Sequence, residues 1–525
     1  MKRFSIVLTA FIFLLSATFA APTSYAVKKN NSNYELDTLQ ENLTNTKEDT
    51  TGETEQSGST PGQKDTSWFD YNNPKDSYQI TTEEQLMGLA SLVNEEQIDK
   101  WKPTRVETFE GVTFTLTKDI QLTQAWTPIA SSRSSKFAGI LDGNGHTISN
   151  LRIVSSSGST GFFGYLSGEV RNLTLDGTIT SDGSNCGAFA GYLQGSGKVI
   201  GCTSRVMISA REKTGGIVGY NEGAAVKECL NIGDITGTLK VGGIVGENWG
   251  GTVSQCGNYG TVKSSRRGVA TFGTGGICGR SVSAKSVVSE CYNTGEILSD
   301  TEATGGVVGY MNATGATIKD SYNVGDITIQ NHKKQKQLVA AWAGGVIGIV
   351  GTSGIDINNC YNAGKINGAD KTGGIIGRYI GDEEDDEQSN EAIQNNYYLS
   401  ESADTAIGEI DATQTIPNDA AREVASSSMI SLASSLGIAY KADDSGLYGN
   451  SGYPVLRWQE PVDVDQRTYL SGISKEIQVK LDQYLVKNAD REMKGKALLM
   501  YLNAAATSAS SAVVLYDDEQ QETDE

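Results

Sequence analysis

The sequence predicts an all-β fold, a right-handed parallel β-helix with short helical N- and C-terminal caps and a small helical C-terminal tail. Three observations predict it. A small-apolar-apolar-glycine unit closes at Gly164, Gly191, Gly219, Gly246, Gly279, Gly309, Gly348 and Gly377, mostly 27 to 30 residues apart. About ten residues later a Cys-x-Asn-x-Gly signature recurs from Cys229, Cys256, Cys291 and Cys360, with Ser321 in place of the cysteine once. Glycine is abundant, at 61 of 525 residues, and proline scarce at 8, a balance that suits many tight turns without polyproline linkers. Short strands repeating at this period are the signature of a solenoid, in which no unit buries its apolar face alone but stacked units share one core. Paired glycines and β-branched residues exclude helical repeats, and a propeller blade needs about 40 to 45 residues.

The elements follow in order. Residues 1–26 read as a secretory signal peptide: Lys2 and Arg3, an apolar run from Phe4 to Leu15, then small-residue cleavage sites at Ala20 and, preferred, Ala26. Residues 27–67 are polar and hold too little apolar surface to offset ordering entropy, so a flexible linker is expected. Residues 68–160 form an N-terminal cap and the first coils. There Thr82 to Gln85 fits a capping box, and Leu86, Leu89, Ala90 and Val93 share one helical face. Residues 161–394 are the glycine-rich coils, and 395–460 a C-terminal cap with a helix over 421–436 and a last strand near 452–458. Residues 461–525 make a helical, finally acidic, tail.

Stacking assigns roles to the repeated residues. Strands of successive coils lie about 4.8 Å apart, so equivalent positions form ladders. Ile217, Ile244, Ile277, Val307, Val346 and Ile375 should be one internal stack, and Asn231, Asn258, Asn293, Asn323 and Asn362 another, at a bend. The cysteines of the second signature, joined by Cys202, should be buried thiols, because parallel Cβ vectors fit disulfide geometry poorly. Tyr259, Tyr292, Tyr322 and Tyr361 should stack beside the asparagines.

Several further motifs stand in one order: Ile80-Thr81-Thr82 before the opening helix, Asp119-Ile120-x-Leu122, Trp126-Thr127-Pro128-Ile129, Asp142-Gly143-Asn144-Gly145-His146 and Gly161-Phe162-Phe163-Gly164. They lead into the Gly-Gly-Ile-Val-Gly coils and a closing Tyr453-Pro454-Val455-Leu456. With these, the chain over residues 68–458 resembles the GLUG-type β-helical repeat proteins of Gram-positive gut bacteria, chiefly clostridial. The resemblance implies a pectate-lyase-like right-handed β-helix and an extracellular role, usually adhesion or an undefined surface function. Similar repeats also flank the metalloprotease domain of IgA-cleaving proteases, but no His-Glu-x-x-His occurs here.

The composition limits function. A formal charge of −20 argues against nucleic acid, and equally against docking on anionic lipid. No stretch reaches the roughly 18 apolar residues of a transmembrane helix. With two histidines, His146 and His332, neither a zinc site nor a Ser-His-Asp triad is expected, and no cofactor is implied. The acidic run Asp382 to Glu387 lacks the spacing of a calcium loop. The favoured reading is a secreted or surface-associated, non-catalytic binding or adhesion module for an extracellular glycan or protein, with oligomeric state open. Its alternative is a polysaccharide lyase or glycoside hydrolase, for which Asp234, Glu296 and Asp326 share one post-turn slot. Convergence of three or more acids or bases in one groove favours the enzyme; exposed aromatics along a face, with Tyr220 and Tyr310 also candidates, favour the adhesin. Trp249 and the pair Arg266-Arg267 break the repeat pattern and are the candidate ligand-binding residues.

Overall fold

The computed structural model describes residues 63–461 apart from 71, 96–107, 266–271, 331–339, 382–392, 412–415, 417–419, 445–447 and 449, together with two short strands near the N-terminus. The chain divides into two units, Pro61–Leu470 and a second made of Met1–Thr60 with Ser471–Glu525. In the second unit Ala26–Asn30 pairs antiparallel with Asn33–Asp37, running from the last residue of the expected signal peptide into the segment expected to be a flexible linker. Residues 1–25 of the expected signal peptide and 462–525 of the expected C-terminal tail lie outside the described residues.

The larger unit is a parallel β-solenoid of about 10 turns. Among the described residues four parallel sheets run along it, with 11, 16, 8 and 9 strands, here sheets 1 to 4. One coil shows the order: Ala225–Lys227 in sheet 1, Leu230–Asn231 and Ile235–Gly237 in sheet 2, Leu239–Gly242 in sheet 3 and Val245–Trp249 in sheet 4. The chain then re-enters sheet 1 at Thr252–Ser254. At the corner into sheet 2 a single residue turns with positive φ in coil after coil, as at Glu228, Gln255, Glu290, Asp320 and Asn359. These are mostly residues whose side chains do not branch at Cβ, which lowers the cost of that conformation.

The expected ladders are present. The six Ile and Val residues of the glycine motif are buried in the interior. Asn231 donates to Asn258 Oδ1 at 2.8 Å, Asn258 to Asn293 at 2.7 Å, Asn293 to Asn323 and Asn323 to Asn362 at 2.8 Å. Each of the first four amides gives its other proton to the glycine carbonyl two residues on, at 2.8 Å. Of this row only Asn231 Oδ1, at its start, is buried without a partner among the described residues; elsewhere a gap in such a row would leave buried donors and acceptors orphaned. The second glycine of each motif makes room for it: a Cβ on Gly243 would meet Asn258 Cγ at 2.3 Å, and one on Gly276 would meet Asn293 Cγ at 2.3 Å. The two sequence signatures are therefore halves of one packing solution. All seven cysteines are free and buried, and burial pushes the thiols of Cys186 and Cys278 up to about 12.

The ends differ. At the N-terminus helix α1, Glu83–Glu95, caps the first coil with Leu86, Leu89, Ala90 and Val93 buried. Thr82 Oγ1 accepts from Gln85 N–H at 3.3 Å, and Gln85 Oε1 from Thr81 N–H at 2.8 Å. At the C-terminus the expected helix over 421–436 is corrected. Ala421–Val424 is a strand paired in parallel with Asn396–Leu399, and among the described residues two single turns, α2 (Ser426–Met429) and α3 (Ala433–Leu436), follow. Parallel pairing on the last coil satisfies more backbone groups than an isolated short helix would. Val455–Leu456 pairs antiparallel with Tyr440–Lys441.

The tyrosine row needs a second correction. Tyr292, Tyr322, Tyr361 and Tyr397 stand in register, and the residue aligned with them one coil earlier is Gly257, so Tyr259 falls outside the row. Tyr259 instead meets Tyr292 hydroxyl to hydroxyl at 2.7 Å. The chain from about 425 to 459 folds back over these tyrosines. Tyr322 donates to Gln459 Oε1 at 2.7 Å, Tyr440 to Asn359 O at 2.8 Å and Trp458 Nε1 to Glu290 O at 3.0 Å. This segment covers the side of the solenoid as well as its end.

Candidate functional site

The site begins with the third glycine of the motif. Sheets 3 and 4 meet at an inward crease, and the closing glycine of each coil lies against the sheet 3 backbone of the coil before. A Cβ on Gly246 would stand 2.3 Å from the carbonyl carbon of Lys213, and one on Gly279 2.5 Å from that of Lys240. Only glycine allows so close an approach. The residue after each closing glycine takes the opposite face of its strand, over the crease. In register these are Tyr165, Tyr192, Tyr220, Glu247, Arg280, Tyr310, Ile349, Arg378 and Glu409. Tyr192, Glu247, Tyr310 and Ile349 are buried there. Aromatic at first, the row turns ionic at two places.

At the first, Glu247 is almost wholly buried, with a side-chain exposure of 3%, and three cations surround it. Lys240 Nζ lies 3.1 Å from Oε2, Lys213 Nζ 3.5 Å from the same oxygen, and Arg280 donates to Oε1 at 2.8 Å. Lys213 and Lys240 occupy aligned places in sheet 3, and both have positive φ, 46° and 55°. Aromatic rings flank the cations: Tyr220 lies 4.4 Å from Lys213 Nζ, Phe272 5.1 Å from Lys240 Nζ and Tyr310 5.7 Å from Arg280 Cζ. Burial lowers the pKa of Lys240 even though Glu247 favours its charged form. Burial, then Glu247, pushes the Tyr220 hydroxyl up to about 12. Next along the row, Tyr192 donates to Glu222 at 2.7 Å and Arg133 lies over its ring.

The second ionic place holds Arg378, 3.3 Å from Glu409 and 3.0 Å from Asp411, with its guanidinium 4.6 Å from the Trp342 ring centre. Between the two, Ala303, Tyr310, Trp342 and Ile349 pack into an apolar patch.

Of the residues singled out from sequence, Trp249 lies on the same strand as Glu247, two residues on and hence on the same outer face, and it is 48% exposed. Tyr220 and Tyr310 lie in the crease row. Arg266, Arg267 and His332 lie outside the described residues, as does the acidic run from Asp382. His146 contacts Asp119 at 3.1 Å in a turn. Two residues of the Asp234 slot bind the backbone of the next coil: Asp234 accepts from Thr261 N–H at 2.8 Å and Asp326 from Lys365 N–H at 2.9 Å. Lys213, Lys240, Glu247 and Arg280 were missed in the sequence. Their signal was the single position after each closing glycine, where tyrosine gives way to Glu247 and Arg280.

Comparison with known protein families gives no match. Over 148 residues, 26% of this chain, the sequence is 34% identical to halomucin of Haloquadratum walsbyi, and the match spans 2% of that protein's length. Among solved structures, the "putative immunoglobulin A1 protease" of Bacteroides ovatus aligns with 73% of this chain and 93% of its own, at 18% identity and a TM-score of 0.33.

Proposed function

We propose that this protein is a secreted or surface-associated binding module that holds an extracellular glycan along the crease between sheets 3 and 4, breaking no bond in it. The row of residues after the closing glycines carries this reading. It sets rings and charges on one face at the rung spacing of about 4.8 Å, an interval comparable to the repeat of a sugar chain. Trp249 adds an exposed ring beside it. Rings of this kind present a large apolar surface with little rotamer entropy to lose. The shared stretch with halomucin and the apolar leader read in the sequence support a place outside the cell.

A glycan array with the full chain tests the proposal, followed by a product assay on every glycan retained. Retention without product is expected. Silence across the array would sink the glycan reading and favour a protein ligand. The second reading, a lyase or hydrolase, draws support from the convergence of Glu247, Lys213, Lys240 and Arg280. Release of unsaturated or reducing ends would establish it instead.

A further inference from the structure

We infer that Lys213, Lys240 and Arg280, gathered around Glu247, form an anion subsite for the carboxylate or sulfate group of an acidic glycan. This rests on the glycan-binding reading and names the substrate class.

Charge is the first argument. Among the described residues three cations face one carboxylate, leaving two positive charges unmatched in a chain whose formal charge is −20. Arg133 and Glu222, which also face Tyr220, cancel one another and leave that imbalance unchanged. At physiological salt, screening acts over about 8 Å, so distant carboxylates do not neutralise a local cluster. The fold itself does not require the imbalance, since the Arg378 cluster in the same row has one cation between two carboxylates.

Backbone conformation is the second argument. A lysine at positive φ is uncommon, and two such lysines on adjacent rungs hold their ammonium groups toward one carboxylate at a cost in local strain. Donor supply is the third. Arg280 Nε is buried without a hydrogen-bond partner, and each ammonium has three protons with one carboxylate to share. An oxyanion in the crease would accept from all three side chains, while Glu247 keeps them in place.

The test uses the full chain with three probes of matched length: a heparin hexasaccharide, an oligogalacturonate and a neutral cello-oligosaccharide. Arg280→Gln and Lys240→Met should each weaken the acidic probe by roughly tenfold, as expected for loss of one charge-assisted contact, while Lys319→Gln, an exposed lysine on sheet 1, should not. The two acidic probes separate sulfate from carboxylate recognition. Lys240→Met should melt at or above the parent temperature, because it removes a buried charge; a lower melting temperature would mark Lys240 as structural and overturn the subsite. Unchanged acidic affinity in both variants would overturn it too. Binding of the neutral probe alone would sink the subsite and spare the glycan reading. Conversely, sulfate at fixed ionic strength should raise the melting temperature of the parent more than that of Arg280→Gln. That result without any glycan binding would keep the subsite and sink the reading.

Discussion

Two rows of tyrosine run along this solenoid, and they have opposite fates. On sheet 2, Tyr292, Tyr322 and Tyr361 repeat without interruption and are covered by the chain's own C-terminal segment. On sheet 4, Tyr165, Tyr192 and Tyr220 give way to Glu247 and Arg280, and the row lies over a crease rather than under that segment. Regularity marks the row that builds the molecule, and interruption marks the row proposed above to meet a ligand. A repeat protein's constraint is the similarity of its rungs, so a departure from it needs a separate cause.

The comparison is open to attack at several points. Tyr322→Ala, on the covered row, should cost about 3–5 kcal/mol by analogy with large-to-small core substitutions and leave glycan affinity unchanged. Urea unfolding and array binding would show both, and a loss of affinity with full stability would reverse the two assignments. Asn293→Ala should cost about 1–3 kcal/mol, because the Asn258 amide loses its acceptor and Asn323 Oδ1 its donor. Hydrogen exchange should locate the loss in the neighbouring rungs.

Alkaline titration followed at the phenolate absorbance should separate the rows. Burial raises Tyr292, Tyr322 and Tyr361 well above their ordinary value, while Tyr220 is raised to about 12. A raised folded pKa contributes stability that is complete below the unfolded value near 10 and is lost as pH climbs toward the folded one. Tyr220 should therefore ionise before the covered three, which should ionise only as the coils unfold. Simultaneous ionisation in a folded protein would show the cover to be open. The smallest effect belongs to Trp249→Ala, which should shift stability by no more than about 0.5 kcal/mol while weakening glycan retention. Unchanged retention would remove Trp249 from the site.

Most of the solenoid was legible because its rules are local and repeated. Glycine spacing, the Ile/Val stack and the asparagine row each follow from one position recurring at the period, and each appears in the structure. What escaped was non-local. Gly243 clears space for Asn258 across the interior, a relation invisible along the chain. The strand at Ala421–Val424 forms because a coil edge is there to pair with it, and helical spacing in the sequence does not record that edge. The crease shows the same gap. Trp249 stood out because it is irregular and exposed, whereas Lys213 and Glu247 lie 34 positions apart and meet only through the stacking of coils.

The back-folded C-terminal segment also fixes the size of the array. Trp458 reaches the coil entered at Glu290, Gln459 the one at Tyr322 and Tyr440 the one at Asn359. These anchor points sit on consecutive rungs, so adding or deleting a coil between residues 290 and 361 would move at least one of them by about 4.8 Å. The clasp thus works as a gauge that counts three rungs. Growth or shrinkage of the repeat by whole coils is left to the stretch before Glu290, which includes the coils that carry Lys213, Lys240 and Arg280.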